Sequence, residues 1–138
     1  VTKQYKILNE TFQKIIFENS TQNIMSQLCE GKTTPECSET IALQFKSNLR
    51  VLKDCGFEEG CYKDEAIKNI NGSNYLNYNQ NNREYKLILN DGTGLIFYGN
   101  ENDVLNIKVD VDGFNGQNTW GKDIFIFTFE YIFFIGNK

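Results

Sequence analysis

The sequence predicts an α+β domain: helices first, then an antiparallel sheet of about four strands. Three observations predict it. Apolar residues recur at three- and four-residue steps near the start of the chain, they alternate singly with polar residues near its end, and Asp-Gly and Asn-Gly pairs punctuate the second half. The length of 138 residues suits one domain with its own core. Its expected parts are an N-terminal helix over 1–28, a helix and disulfide-loop region over 29–84, and the sheet over 85–138.

Tyr5, Leu8, Phe12, Ile15 and Ile16 form the stripe of the first helix, with Gln4, Lys6, Gln13, Lys14 and Glu18 opposite. The polar stretch after Asn19 predicts that the helix ends or restarts there. Gly31 to Pro35 reads as a breaker. Ser38 to Leu52 reads as a second helix, capped by Ser38 and burying Ile41, Phe45, Leu49 and Leu52. Asp54-Cys55-Gly56 reads as its stop. A short helical turn is expected over 64–70, then a turn at Asn71-Gly72 and an irregular Asn-rich stretch over 74–84.

Tyr85–Leu89 and Leu95–Tyr98 flank Asp91-Gly92 and predict a hairpin. Leu105, Ile107, Val109 and Val111 alternate with polar neighbours, which predicts a half-buried strand. After a Gly- and Asn-rich loop, a last strand begins at Asp123. Phe125, Phe127, Phe129, Tyr131 and Phe133 share one of its faces, expected to floor the core. Its other face, starting with Ile124 and Ile126, is also apolar at first, which predicts a central strand rather than an edge.

Composition narrows the function. The net charge is −4 with no basic stripe, so nucleic-acid binding by phosphate neutralisation is disfavoured. There is no histidine, which removes the commonest general base, the commonest transition-metal ligand and every Ser-His or Cys-His pair. The chain is not expected to be an enzyme. Four cysteines at 29, 37, 55 and 61 lack the tight spacing of zinc knuckles. Their even number predicts two disulfides and an oxidising compartment. Of the three pairings, Cys29–Cys37 and Cys55–Cys61 are favoured, because each closes a short loop containing glycine or proline.

The stretch IKVDVDGFNGQNTWGKDIFIFTF, from Ile107 to Phe129, resembles the C-terminal signature of type IV pilin-like proteins, which include minor pilins and type II secretion pseudopilins. The likeness lies in the alternating strand, Asp110-x-Asp112-Gly113, Gly116-x-Asn118 and Gly121-x-Asp123-Ile124-Phe125. Gln117 stands where a proline is usual. The Leu89–Thr93 hairpin and the N-terminal amphipathic helix fit the same family. The resemblance implies a helix packed on an antiparallel sheet, export, no catalytic site, and assembly with other pilin or pseudopilin subunits. It also implies a leader and a hydrophobic helical segment upstream of Val1 that anchors the subunit in the inner membrane before assembly at the cell surface or in the periplasm. Tyr5, Leu8 and Phe12 are the candidate assembly face: residues 1–8 for neighbouring subunits, Phe12 onward for the sheet.

Asp110, Asp112, Asn115, Asn118 and Asp123 gather oxygen ligands around the loop and form a candidate calcium set. The EF-hand pattern does not fit, and the favoured reading is that the same side chains cap turns. Calcium is the only cofactor that the sequence suggests. A glycosidase pair lacks a cleft and any sugar platform beyond Trp120. Asn9-Glu10-Thr11, Asn19-Ser20-Thr21 and Asn71-Gly72-Ser73 match the N-glycosylation sequon, which matters only in a glycosylating host. Three functions follow from different classes: a pilin-like structural subunit acting by filament assembly, a secreted calcium-dependent adhesion or ligand-binding module, and a small secreted enzyme, which the absence of histidine disfavours.

Overall fold

The computed structural model describes residues 2–19, 24–62, 66–74, 77, 79, 82–100, 104–111 and 124–130. Three helices, α1 (Thr2–Glu18), α2 (Ile24–Cys29) and α3 (Thr34–Lys46), precede five strands: β1 (Val51–Gly56), β2 (Tyr85–Leu89), β3 (Gly94–Asn100), β4 (Val104–Asp110) and β5 (Ile124–Glu130). The strands pair antiparallel in the order β1-β2-β3-β4-β5. The class is α+β with an N-terminal helix and a C-terminal sheet, and among the described residues the sheet has five strands rather than four.

The N-terminal helical stretch divides where its polarity rises. Asn19 closes α1, its backbone N–H and its Nδ2 both donating to Ile15 O, at 3.0 and 2.8 Å. The next helix starts earlier than Ser38. Thr33 is its N-cap: Glu36 N donates to Thr33 Oγ1 at 3.3 Å, and Thr33 N donates to Glu36 Oε1 at 3.0 Å. This is a capping box, and Pro35 sits in the first turn, where its missing N–H costs nothing. Ser38 lies inside α3. Its hydroxyl donates to Thr34 O at 2.8 Å and accepts from Gly99 N at 3.0 Å.

The helix also stops earlier than Leu52. Leu49 is partly buried beyond its end, and Leu52 is 67% exposed on β1. Asp54-Cys55-Gly56, the expected stop, is the end of that strand, whose register with β2 shifts twice. Of the short helix expected over 64–70, residues 66–70 are not helical, and Lys68 bridges to Asn74; residues 63–65 lie outside the described residues.

One face of the sheet carries the main core. Leu87, Leu95, Phe97, Leu105, Ile107 and Val109 meet Leu8, Phe12 and Ile15 of α1, Met25 of α2, and Ile41 and Phe45 of α3. Phe45 packs at 5.3 Å on Phe97 and at 6.2 Å on Phe12, between centroids. Gly99 lets the helices approach: a Cβ there would stand 3.0 Å from Met25 Cε and 3.1 Å from Cys37 Sγ. The opposite face carries a second cluster of Cys55, Cys61, Tyr62, Ile67, Ile88, Ile96 and Ile124. The sheet is thus covered on both sides, and even Lys86 is buried.

Phe127 of β5 packs partly buried against the main core, as its aromatic face predicts, while Tyr131 and Phe133 lie outside the described residues. The central position expected for this strand is not observed. Among the described residues β5 is an edge, hydrogen-bonded to β4 alone. Its second face is mixed because Ile124 is buried in the small cluster while Ile126 is 48% exposed.

Phe97→Ala should destabilise the fold by about 3–5 kcal/mol in urea unfolding, the cost of a large aromatic removed from a core. Ser38→Ala should cost about 1–3 kcal/mol by leaving the buried Gly99 N–H without its acceptor.

Candidate functional site

The structure places the predicted site residues unequally. Asp112, Asn115, Asn118 and Asp123 lie outside the described residues. Asp110 ends β4, paired with Gly94 and Ile124, and is 1% exposed. Among the described residues no three His, Cys, Asp or Glu side chains gather as metal ligands. The oxygen set therefore contributes one buried carboxylate to the described site, and the chemistry there is that of a buried strand end.

The candidate assembly face is divided by burial. Leu8 and Phe12 are each 1% exposed, enclosed by this chain's own core. Leu8 was expected to face neighbouring subunits; it instead joins α1 to the sheet, because helical spacing puts it on the same stripe as Phe12 and Ile15. Tyr5 stays 41% exposed and sets its ring against Phe127 at 5.2 Å, edge to face. At the other end of α1, Phe17 is 84% exposed. A cavity of about 310 Å³ lies by the start of α1, between Lys3, Ile7, Leu49, Arg50 and Leu89.

Both disulfides are local. Cys29–Cys37 joins the end of α2 to α3, and Cys55–Cys61 closes the loop after β1. No described cysteine is free. The bonds point to an oxidising compartment, extracellular or periplasmic. The second bond fastens the cover of the sheet's outer face. Its loop is further held by Lys53 Nζ donating to Gly60 O and Gly60 N donating to Asn79 Oδ1, both at 2.9 Å. Beneath it, burial pushes the Lys86 ammonium below the usual lysine range, opposed by the charges of Glu58, Glu59 and Glu84. Nearby, Lys108 Nζ bonds both carboxylate oxygens of Glu84, at 2.9 and 2.8 Å.

A second polar group ties β1 to α3 and β2. Asp54 accepts from Lys46 Nζ at 2.7 Å, Tyr85 Oη at 2.9 Å and Gly56 N at 3.0 Å. Partial burial raises the Asp54 pKa, but these donors outweigh it and hold the carboxyl below its ordinary value. Tyr85 is pushed well above the usual phenol range by burial and by the carboxylate it donates to. The phenol is locked as a donor, which suits a structural strut and not an acid or base.

The three sequons differ in access. Asn9 is partly buried and Thr11 buried, the latter donating to Ile7 O at 2.8 Å; Asn19 donates to Ile15 O; Asn71 is exposed in a turn. No helix among the described residues is long and apolar enough to cross a membrane.

Because the folded Asp54 pKa lies below its unfolded value near 3.9, its stabilisation is present above that value and is lost as pH falls through the folded one. Urea midpoints measured through the acid range should fall more steeply for the natural chain than for Asp54→Asn. At neutral pH, Tyr85→Phe should cost about 0.5–1.5 kcal/mol, one hydrogen bond, with little change in urea m-value.

No protein-family model, no curated protein and no solved structure matches this chain.

Proposed function

We propose that the chain is the globular part of a pilin-like structural subunit, acting by assembly into a bacterial type IV pilus or a type II secretion pseudopilus. The observation that carries this reading is α1. It is a 17-residue N-terminal helix laid by Leu8, Phe12 and Ile15 on the apolar face of a consecutive antiparallel sheet, with Tyr5 set on Phe127. That is the arrangement implied by the resemblance of Ile107–Phe129 to the pilin C-terminal signature.

The disulfides support it by pointing to an oxidising compartment, extracellular or periplasmic. The polar groups fit a structural role as well. Tyr85, Asp54, Lys46, Lys108 and Glu84 are joined to one another in struts, with none poised as a nucleophile. In this reading a hydrophobic segment upstream of the described helix anchors the subunit in the inner membrane, and α1 projects its exposed side to neighbouring subunits.

Phe17 supplies the test. A phenylalanine 84% exposed on a helix is an apolar surface that solvent does not favour. Phe17→Ser should leave unfolding stability within about 0.5 kcal/mol of the parent. The same substitution in the full-length gene product of the native host should reduce the amount of chain in sheared surface filaments or in the pseudopilus pellet. Recovery of the natural chain only as a free secreted monomer would overturn the proposal.

A further inference from the structure

The turn joining Lys68 to Asn74 surrounds an exposed asparagine amide with hydrogen-bond donors. Asn71 is exposed and Gly72 follows it with φ at +89°, in open space: a Cβ there would meet nothing within 4 Å. Asn71 Oδ1 accepts two hydrogen bonds from one residue, Ser73 N at 2.9 Å and Ser73 Oγ at 2.6 Å. The Ser73 hydroxyl is itself oriented by Asn69 Nδ2, which donates to it at 3.0 Å. The backbone around this side chain is fixed by Asn69 N donating to Ser73 O at 2.8 Å and Gly72 N donating to Asn69 O at 2.9 Å.

We propose that Asn71 is a site of self-modification, where the folded turn promotes conversion of the asparagine amide to aspartate or isoaspartate. The side chain turns back along its own backbone to accept from Ser73 N, across the peptide unit whose Gly72 nitrogen closes a five-membered succinimide ring when it bonds to Cγ. Glycine leaves that nitrogen unshielded by any side chain. The two Ser73 donors sit where negative charge develops on Oδ1 when Cγ becomes tetrahedral, as an oxyanion hole does.

The balance is simple. Gly72 N loses its proton to solvent hydroxide and bonds to Cγ. The Cγ–Nδ2 bond breaks, and Nδ2 leaves as ammonia with a proton from water. A second water opens the succinimide at either carbonyl, giving aspartate or isoaspartate at position 71. Nothing is oxidised or reduced, and the net co-reactant is one water. Because hydroxide must remove the Gly72 amide proton, once that N–H has left Asn69 O, the rate rises with pH. The product adds a negative charge to a chain already at −4, beside Lys68, whose Nζ bonds Asn74 Oδ1.

The Asp91-Gly92 bend is an internal control. It has the same backbone form, with Thr93 N donating to Asp91 Oδ1 at 3.0 Å and Gly92 φ at +90°. Burial raises the Asp91 pKa, but the hydrogen bonds from Thr93 prevail and keep it low, so its side chain stays a carboxylate, a poor electrophile.

The test is peptide mapping by mass spectrometry of the intact folded protein held at mildly alkaline pH, with Ser73→Ala and Ser73→Thr in parallel and circular dichroism to check each fold. An oxyanion donor is worth about 10²–10³-fold in a water-excluded active site. Water competes for Oδ1 in this exposed turn, so several-fold is expected. Asn71 should convert in the folded chain, several-fold more slowly in Ser73→Ala, at a restored rate in Ser73→Thr, and without isomerisation at Asp91. Two results would overturn the proposal: an Asn71 amide that persists in the folded chain while the urea-unfolded chain converts, or a Ser73→Ala rate equal to the parent's.

Discussion

The structure depends on the burial of β3 from above by helices and from below by the disulfide-closed loop. Phe97 meets Phe45 on one side while its neighbour Ile96 joins Cys55, Cys61 and Tyr62 on the other. A strand covered on both faces has no solvent side to absorb polar residues. The consequences spread from there. Gly99 must lack a side chain because Met25 and Cys37 stand over it, and its N–H must find Ser38 because no water reaches it. Cys29–Cys37 then fixes α2 beside α3 at the same place. Closing so short a loop contributes about 2–4 kcal/mol by restricting the unfolded chain. Its position does more, since it holds the two helices over the one glycine that admits them.

Much of this was legible where one rule acted alone. The alternation of Leu105, Ile107 and Val109 gives β4, since each side chain's face follows from period two. Asp91-Gly92 gives the hairpin, since Gly92 supplies the positive φ and Asp91 binds the Thr93 amide. The stretches that misled had two rules in competition. Pro35 breaks a helix in its interior but starts one in its first turn, and Thr33-x-x-Glu36 beside it is the capping signature that decides between them. β1 is illegible for a different reason: two register shifts break its alternation, and Val51-Leu52-Lys53 reads as easily as the tail of an amphipathic helix. β5 looks central because both faces begin apolar, yet on its second face Ile124 is covered while Ile126 is 48% exposed. Four of the five residues of the candidate calcium set lie outside the described residues, with Asp110 alone inside them. For Leu8, spacing identifies the buried stripe but does not say whether the covering surface belongs to the same chain.

The chain's ionisable groups take part in the same arrangement. With no histidine, no side chain of the described residues has an ordinary pKa near neutrality, and Asp54 and Tyr85 move further from it. Asp54 joins α3, β1 and β2 through three donors, so that one carboxylate ties an edge strand to the helical layer. Acid removes that tie, whereas the pH changes of an external medium near neutrality leave it intact. A domain stapled by two disulfides and tied by a carboxylate that loses its charge only in acid is suited to persist in an oxidising medium rather than to switch near neutrality.

A domain so arranged leaves function to its surface. The core takes Leu8, Phe12 and Ile15 from α1, which leaves the helix's opposite side, Tyr5 and Phe17 as what another chain can meet. An exposed phenylalanine on a helix whose other side is fully engaged contributes nothing to this fold. Its burial against a neighbour would contribute about 1.5–3 kcal/mol per contact. In a filament that term repeats at every subunit, and it needs no catalytic group or cofactor to act. The Asn71 turn follows Ile67, in the segment that covers the sheet's other side, so a slow gain of charge there would fall on the side of the sheet opposite the helices.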